Sequence, residues 1–373
     1  MRVLFDLTYV NPSSYSGIVI YAYRLLKGIV DLELTDNISL LVTEKNKLFL
    51  QKKFPNFHFI TVELRYKIIN TRLLFLKRYV YKNKINKLVK KYNVSLFFTP
   101  YLNNGSLYAS KVPQIGVLHD AQGYILSKKT GLKGYVLRFF TVRLLNRINR
   151  IVTISNFAKS SILNEIKNLH TPIYVVYNSV EVSNCEKKLI LENKTPYILY
   201  VNTLEPYKNL ETLVNAFGLL KDRTKHNLIV KAKKLPYWDA IILPLLKINN
   251  ITDRVFLIEK KYSNEKMASL FSEADLFVSP SLMEGFGFTP IEAAMHQVPV
   301  ISSKESALFE TTLGLLNYYE PADDFKELAY VIDKILINKP SKEELIKISD
   351  CFKQSYSAKQ QALLFIKLFY EYK

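Results

Sequence analysis

Glycine is scarce in this chain, 11 in 373 residues, or about 3% where soluble proteins average roughly 7%. A long set of glycine turns is therefore excluded, and any tight glycine pair becomes informative. Cysteine is scarcer still. Cys185 and Cys351 stand far apart without CxxC spacing, which excludes a disulfide framework and a cysteine zinc site and fits a reducing compartment. Uncharged apolar runs long enough to cross a bilayer, about 18 residues, are also missing. Met1 leads directly into RVLFDLTYV, without the long apolar core of a signal peptide. The expectation is a cytoplasmic protein. Acidic residues are missing from one region in particular. Between Leu64 and Asn164 there are 19 Lys/Arg and one acid, Asp120. That window accounts for nearly all of the net charge of +19, and a field of this size attracts polyanions, anionic lipid or phosphorylated substrates.

Apolar residues are abundant, 49% of the chain, and their rhythm is that of alternating strands and helices. Short β-rich runs (RVLFDL, ISLLV, HFITV, SLFFTP, QIGVLHD, RIVTIS, IYVVYN) alternate with helical patterns up to residue 178. The polar stretch 179–195 interrupts the pattern and reads as a linker. The rhythm then resumes with YILYVNT, NLIVKA, RVFLIE, LFVSPS and VPVISS, each followed by a helical segment. Such alternation predicts βαβ units and parallel sheets. The expected fold is α/β: two Rossmann-like doubly wound domains, 1–178 and 196–354, facing across a cleft. Residues 355–373 have helical composition and are expected to pack back on the first domain.

Two of the glycines fall within SLMEGFGFTPIE, residues 281–292, directly after an apolar β-run. Thr289-Pro290 resembles a helix start, with Glu292 at the third helical position, so a capping box accounts for Glu292 structurally. It does not account for Glu284, which precedes that helix, nor for Gly285 and Gly287 around Phe286. Glycines let backbone approach a ligand closely, and a carboxylate accepts two hydroxyls at once. A hydroxyl-rich ligand such as a sugar or a ribose suits this grouping.

Glu284 and Glu292 with GFGFTPI between them resemble the E-x7-E motif of family 4 retaining glycosyltransferases. YILYVNTLEPYKNLETLVNAF (197–217), IVTISNFAKSSI (151–162), VVYNSVE (175–181), GVLHD (116–120) and SGIVIYAYRLL (16–26) resemble further segments of that family in the expected order. The resemblance implies the GT-B fold and a nucleotide-diphosphate sugar as donor. It implies that Glu284 holds donor-sugar hydroxyls with the backbone of Gly285, Phe286 and Gly287, and that Glu292 takes the ribose. Lys208 would neutralise the diphosphate, Gly17 would lie near phosphate and acceptor, and His119 near the site of attack. Asp120, Tyr207 and Glu310 are further candidates, and a local salt bridge is the plain structural reading of Asp120. No D-x-D occurs, so a metal-independent enzyme without cofactor is expected, using lysine in place of a divalent cation.

Three departures accompany the resemblance. Tyr207 stands where relatives carry the arginine of an Arg-Lys pair, Val19 and Ile20 replace a glycine and a basic residue, and Gln297 replaces a glycine. A non-catalytic partner subunit therefore stays open as an alternative, as does a nucleic-acid-binding protein using the basic region 64–164. The principal expectation is a retaining hexosyltransferase acting on a lipid-linked glycan acceptor in bacterial capsule or O-antigen synthesis. Its basic segments 67–91 and 135–150 would lie on the inner face of the membrane.

Overall fold

The computed structural model describes residues 1–12, 16–64, 74–103, 106–109, 111–128, 131–183 and 195–372. Most of the expected linker, Cys185 and the beginning of the basic segment 67–91 lie outside the described residues. The chain forms two compact units, Met1–Ser179 with Ser357–Lys373, and Val180–Tyr356.

The first unit runs β1 (Val3–Asp6), α1 (Gly17–Asp31), β2 (Ile38–Val42), α2 (Glu44–Lys53), β3 (His58–Thr61), α3 (Leu74–Lys91), β4 (Leu96–Thr99), β5 (Gln114–Val117), α4 (Gln122–Ser127), α5 (Gly131–Leu145), β6 (Arg150–Thr153), α6 (Asn156–Glu165) and β7 (Ile173–Val175). Its seven strands are parallel in the order β3-β2-β1-β4-β5-β6-β7. The central strands are buried at every position, VLFD in β1 and LFFT in β4, because helices cover both faces of such a sheet. The loop after β1 is held by a buried side chain: Asn46 Nδ2 donates to the carbonyls of Leu7 and Val10 at 2.9 and 3.0 Å.

The second unit contains β8 (Tyr197–Val201), α7 (Leu210–Leu219), β9 (Asn227–Lys231), α8 (Leu243–Ile248), β10 (Val255–Ile258), α9 (Asn264–Ser272), β11 (Leu276–Ser279), α10 (Phe288–Met295), β12 (Val300–Ser303), α11 (Leu308–Thr311), β13 (Asn317–Tyr319), α12 (Phe325–Ile337) and α13 (Lys342–Ser355). Its strand order is β10-β9-β8-β11-β12-β13, again parallel. The chain moves outward from the first strand of each sheet in one direction and then restarts on its other side. That leaves a switch point between β1 and β4 in one unit and between β8 and β11 in the other, where crevices open at the carboxyl ends of the strands.

Helix α14 (Ala358–Tyr370) belongs to the first unit. It presses on α1 at Gly28, where an added Cβ would stand 2.0 Å from the Ala358 carbonyl oxygen. Phe365 and Phe369 pack on Phe98 of β4 with ring centroids 5.2 and 5.0 Å away. Glycine at 28 is thus a condition of helix contact. Gly28→Ala is expected to lower unfolding free energy by about 1–3 kcal/mol through overpacking, read as a shift in denaturant midpoint.

At the opposite end of sheet two, Asp275 lies between His226, whose Nε2 is 3.4 Å from its Oδ2, and Lys339, which donates to Oδ1. His226 first, and Lys339 after it, hold the Asp275 carboxyl down at about 2. A depressed carboxylate pKa stabilises above the ordinary value near 4 and loses that contribution as pH falls through about 2. Asp275→Asn should therefore flatten the acid limb of stability against pH by about 2 kcal/mol at most, measured by denaturation between neutral pH and the acid limit.

Candidate active site

In the second unit the loops after β8 and β11 meet at the switch point. Several contacts join them, among them two through backbone carbonyls and one ionic. Leu282 N–H donates to the Tyr207 carbonyl at 2.8 Å. Asn209 Nδ2 donates to the Pro280 carbonyl at 3.0 Å and to the Ala322 carbonyl at 2.8 Å. In the ionic one, Lys208 Nζ lies 2.7 Å from Glu284 Oε1, with the two side chains only 11% and 14% exposed. Residues 76 positions apart are thereby joined in one polar cluster.

Glu284 is held asymmetrically. Oε1 accepts from Lys208, from Ser281 Oγ at 3.0 Å and, more distantly, from Asn202 Nδ2 at 3.4 Å. The Glu284 backbone N–H donates to Ser306 Oγ at 2.7 Å, and its carbonyl accepts from Ala307 N at 3.3 Å. All three of these side-chain contacts fall on Oε1. Sequence reasoning missed Asn202, Ser281, Asn209 and Ser306. Their only trace was position, directly after apolar strands, and no spacing rule singles out a lone Asn or Ser there.

The GFG segment corrects the expected helix start and shows where Phe286 packs. Phe286 is buried at 2% exposure, its ring packing edge-on to Tyr356 at 5.4 Å and against Phe288 at 5.0 Å. It is a hydrophobic anchor for the loop. The helix also begins earlier than expected. Gly287 at φ +83 is the N-cap, α10 starts at Phe288, and no side chain caps it. Thr289 is inside the helix, Glu292 lies beyond its first turn, and the Thr-x-x-Glu capping box does not form. Pro290 is tolerated because first-turn amides have no intrahelical acceptor, so a missing N–H costs nothing. Glycine at 287 is required twice over: the backbone is left-handed, and a Cβ would come within 2.5 Å of Leu308 Cδ2.

The remaining candidates fall as follows. Tyr207 places its ring 5.0 Å from the Lys208 ammonium, so a cation–π contact occupies the place of a second positive charge. Glu310 lies on α11, drawn to the same loops by Thr311 Oγ1, which donates to the Phe286 carbonyl. Gln297 adopts φ 61, the left-handed conformation that favours glycine. Lys234 pairs with Asp239 at 2.8 Å, and Lys231 donates to the Ile258 carbonyl at 3.2 Å.

In the first unit, His119 follows β5 at the switch-point end of the sheet. Its Nε2 donates to the Pro100 carbonyl at 3.2 Å, since a carbonyl can only accept. Nδ1 is then the unprotonated nitrogen. Burial lowers the imidazole pKa, outweighing the opposite pull of that carbonyl, so the ring is neutral near pH 7. Tyr21 of α1 meets the His119 ring edge-on at 4.7 Å, and Tyr101 approaches at 6.2 Å. The hydroxyls of Tyr9 and Tyr21 are buried and have no hydrogen-bond partner among the described residues. Gly17 opens α1 one turn before Tyr21, and a Cβ there would meet nothing within 4 Å. Val19 is buried while Ile20 is exposed. Among the described residues Asp120 is in no salt bridge: its Oδ1 accepts from Gln122 N–H at 2.8 Å at the start of α4.

Residues 183–350, nearly all of the second unit, match the family model described as Glycosyl transferases group 1. The fold is GT-B. Both Lys208 and Glu284 lie inside the matched segment. The chain is similar to the O-antigen chain mannosyltransferase RfbU of Salmonella typhimurium, 29% identical over 208 residues, 56% of each chain. It is also similar to the serotype-specific mannosyltransferase WbdA of Escherichia coli, 24% identical over 52% of this chain and 24% of that one. The matched segments thus span little more than half of the first relative and about a quarter of the second. Among solved structures, Anabaena Alr3699/HepE in complex with UDP superposes with a TM-score of 0.70 over 100% of both chains at 16% identity.

The buried pair gives a stability prediction. Glu284→Ala leaves an ammonium buried without its counter-charge and should cost about 3–5 kcal/mol. Lys208→Met in the same chain should recover most of that loss. Denaturant unfolding of the two single variants and the double variant measures the coupling; additive losses would show that the pair is not coupled.

Proposed function

We propose that this chain is a retaining, metal-independent glycosyltransferase that moves a hexose from a nucleotide-diphosphate sugar to a lipid-linked glycan in bacterial surface polysaccharide synthesis. The observation that carries the reading is the half-engaged Glu284 beside Lys208 at a sheet switch point, inside a segment similar to group 1 glycosyl transferases. Mannose is the first sugar to consider, because RfbU and WbdA are named mannosyltransferases.

The chemistry follows from charge. As the glycosidic bond breaks, negative charge grows on the leaving diphosphate, and a cation placed there stabilises the transition state. Lys208 supplies one positive charge without a divalent ion. In the free protein that charge is neutralised by Glu284, so diphosphate binding replaces one anion partner with another. Glu284 Oε2 would accept donor hydroxyls while Oε1 stays tied to Ser281. Glu292, no longer explained as a helix cap, would take the ribose hydroxyls. Neutral His119, with Nδ1 as acceptor, would hold a hydroxyl rather than supply an acid. Tyr207 gives shape where relatives place charge, so donor affinity should be lower than with a paired cation. Residence on the inner leaflet would bring the first unit to its acceptor.

A thermal-shift screen of UDP-, GDP-, ADP- and dTDP-sugars in the presence of EDTA tests the reading. One donor class should stabilise the protein, by about 2.7 kcal/mol at a hundredfold excess over Kd. The shift should vanish in Lys208→Ala and Glu284→Ala, and the transferred sugar should keep its anomeric configuration by NMR. No stabilisation by any donor would favour the non-catalytic partner subunit instead.

A further inference from the structure

Helix α5 (Gly131–Leu145) has two apolar faces. One buries Gly134, Leu144 and Leu145. The other leaves Leu132, Tyr135, Val136 and Phe139 exposed at 80, 63, 40 and 55%. Spacings of three, four and seven residues place these four side chains on one line along two turns. A helix apolar all round is normally covered on both sides, and single exposed apolar residues are ordinary whereas a contiguous stripe marks a contact. Elsewhere in the first unit, exposed large apolar residues are scattered over α1, α2, α6 and α14.

Charge decides what the stripe fits. The exposed line continues into Arg143, Arg147 is exposed in the turn that follows the helix, and Lys133 is exposed beside it. Between Asp120 and Glu165 the sequence has eight Lys/Arg and no acid. Helix α3, the other basic helix, differs in a decisive way. In its described part Tyr81, Ile85 and Val89 are buried in the core, and Lys84, Lys87, Lys90 and Lys91 are exposed with no exposed large apolar side chain beside them. Charge alone attracts an anionic surface, but insertion needs apolar side chains as well. Within the described part of the unit, α5 offers both.

We propose that α5 is the element by which this chain lies on an anionic bilayer. Leu132, Tyr135, Val136 and Phe139 enter the boundary between headgroups and acyl chains, while Lys133, Arg143 and Arg147 meet lipid phosphates. A shallow insert of two turns suits reversible attachment. This inference rests on the proposed function only for its purpose, bringing the enzyme to a lipid-linked acceptor; the surface itself is argued from exposure and charge.

Co-sedimentation of the full chain with phosphatidylglycerol/phosphatidylethanolamine vesicles, against phosphatidylcholine vesicles, tests it. The wild type should bind the anionic vesicles and release with salt. Leu132→Ser/Tyr135→Ser/Phe139→Ser should abolish binding at low salt, with unchanged melting temperature because the side chains are exposed. Arg143→Gln/Arg147→Gln should weaken binding about fivefold per charge removed. Absence of wild-type binding, or full binding by the triple serine variant, would overturn the proposal. So would a lipid-free dimer that becomes monomeric in that variant, which would assign the stripe to a second copy. Nucleotide-sugar binding in solution is read separately. If donor binding fails while vesicle binding persists, the enzymatic reading is lost and this surface stands.

Discussion

The ion pair between Lys208 and Glu284 is the interaction on which the second unit's site depends. Each charge is nearly buried, and neither could remain so without the other, because an isolated ion in a low-dielectric interior costs several kcal/mol. The pair requires the loops after β8 and β11 to stay in register, and Asn209 and the Leu282–Tyr207 hydrogen bond hold them there. Ser281 and Asn202 then fix the carboxylate's rotation. What results is a buried polar cluster in which the contacts to the Glu284 carboxylate fall on Oε1.

The two units solve the switch-point problem with different chemistry. In the second, a charge pair fills the junction of β8 and β11. In the first, the ends of β1, β4 and β5 gather Tyr9, Tyr101, Tyr21 and His119, an aromatic cluster whose histidine is kept neutral by burial. Aromatic faces and phenol hydroxyls suit contact with sugar rings, whereas a lysine suits phosphate.

The basic region shows how charge and burial must be read together. On sequence, the segment 67–91 was the first candidate for a membrane face and the segment 135–150 its extension. Burial separates them. The described part of α3 turns its apolar residues inward, and α5 leaves a stripe outside. Periodicity records that a stripe exists; it carries no information about which neighbour covers it.

The parallel α/β architecture was legible because its cause is local. Buried parallel strands are apolar on both faces, so YILYV and LFVS announce themselves without any contact being known. Glu284 was legible as a carboxylate near a strand's carboxyl end, whereas Lys208 came from the resemblance alone; the structure brings the two together as an ion pair. Helix α10 was not legible. Thr289-Pro290 and Glu292 satisfy every local rule for a capping box, yet packing of Leu308 against Gly287 and burial of Phe286 start the helix earlier. The sequence by itself determined the strand–helix alternation and the charges available at the strand ends, because those follow from periodicity over a few residues. Only the tertiary structure decided which oxygen of Glu284 is engaged, which way Phe286 faces and which basic helix keeps an apolar side in water. Each depends on atoms brought together across tens of residues, and no local pattern encodes that.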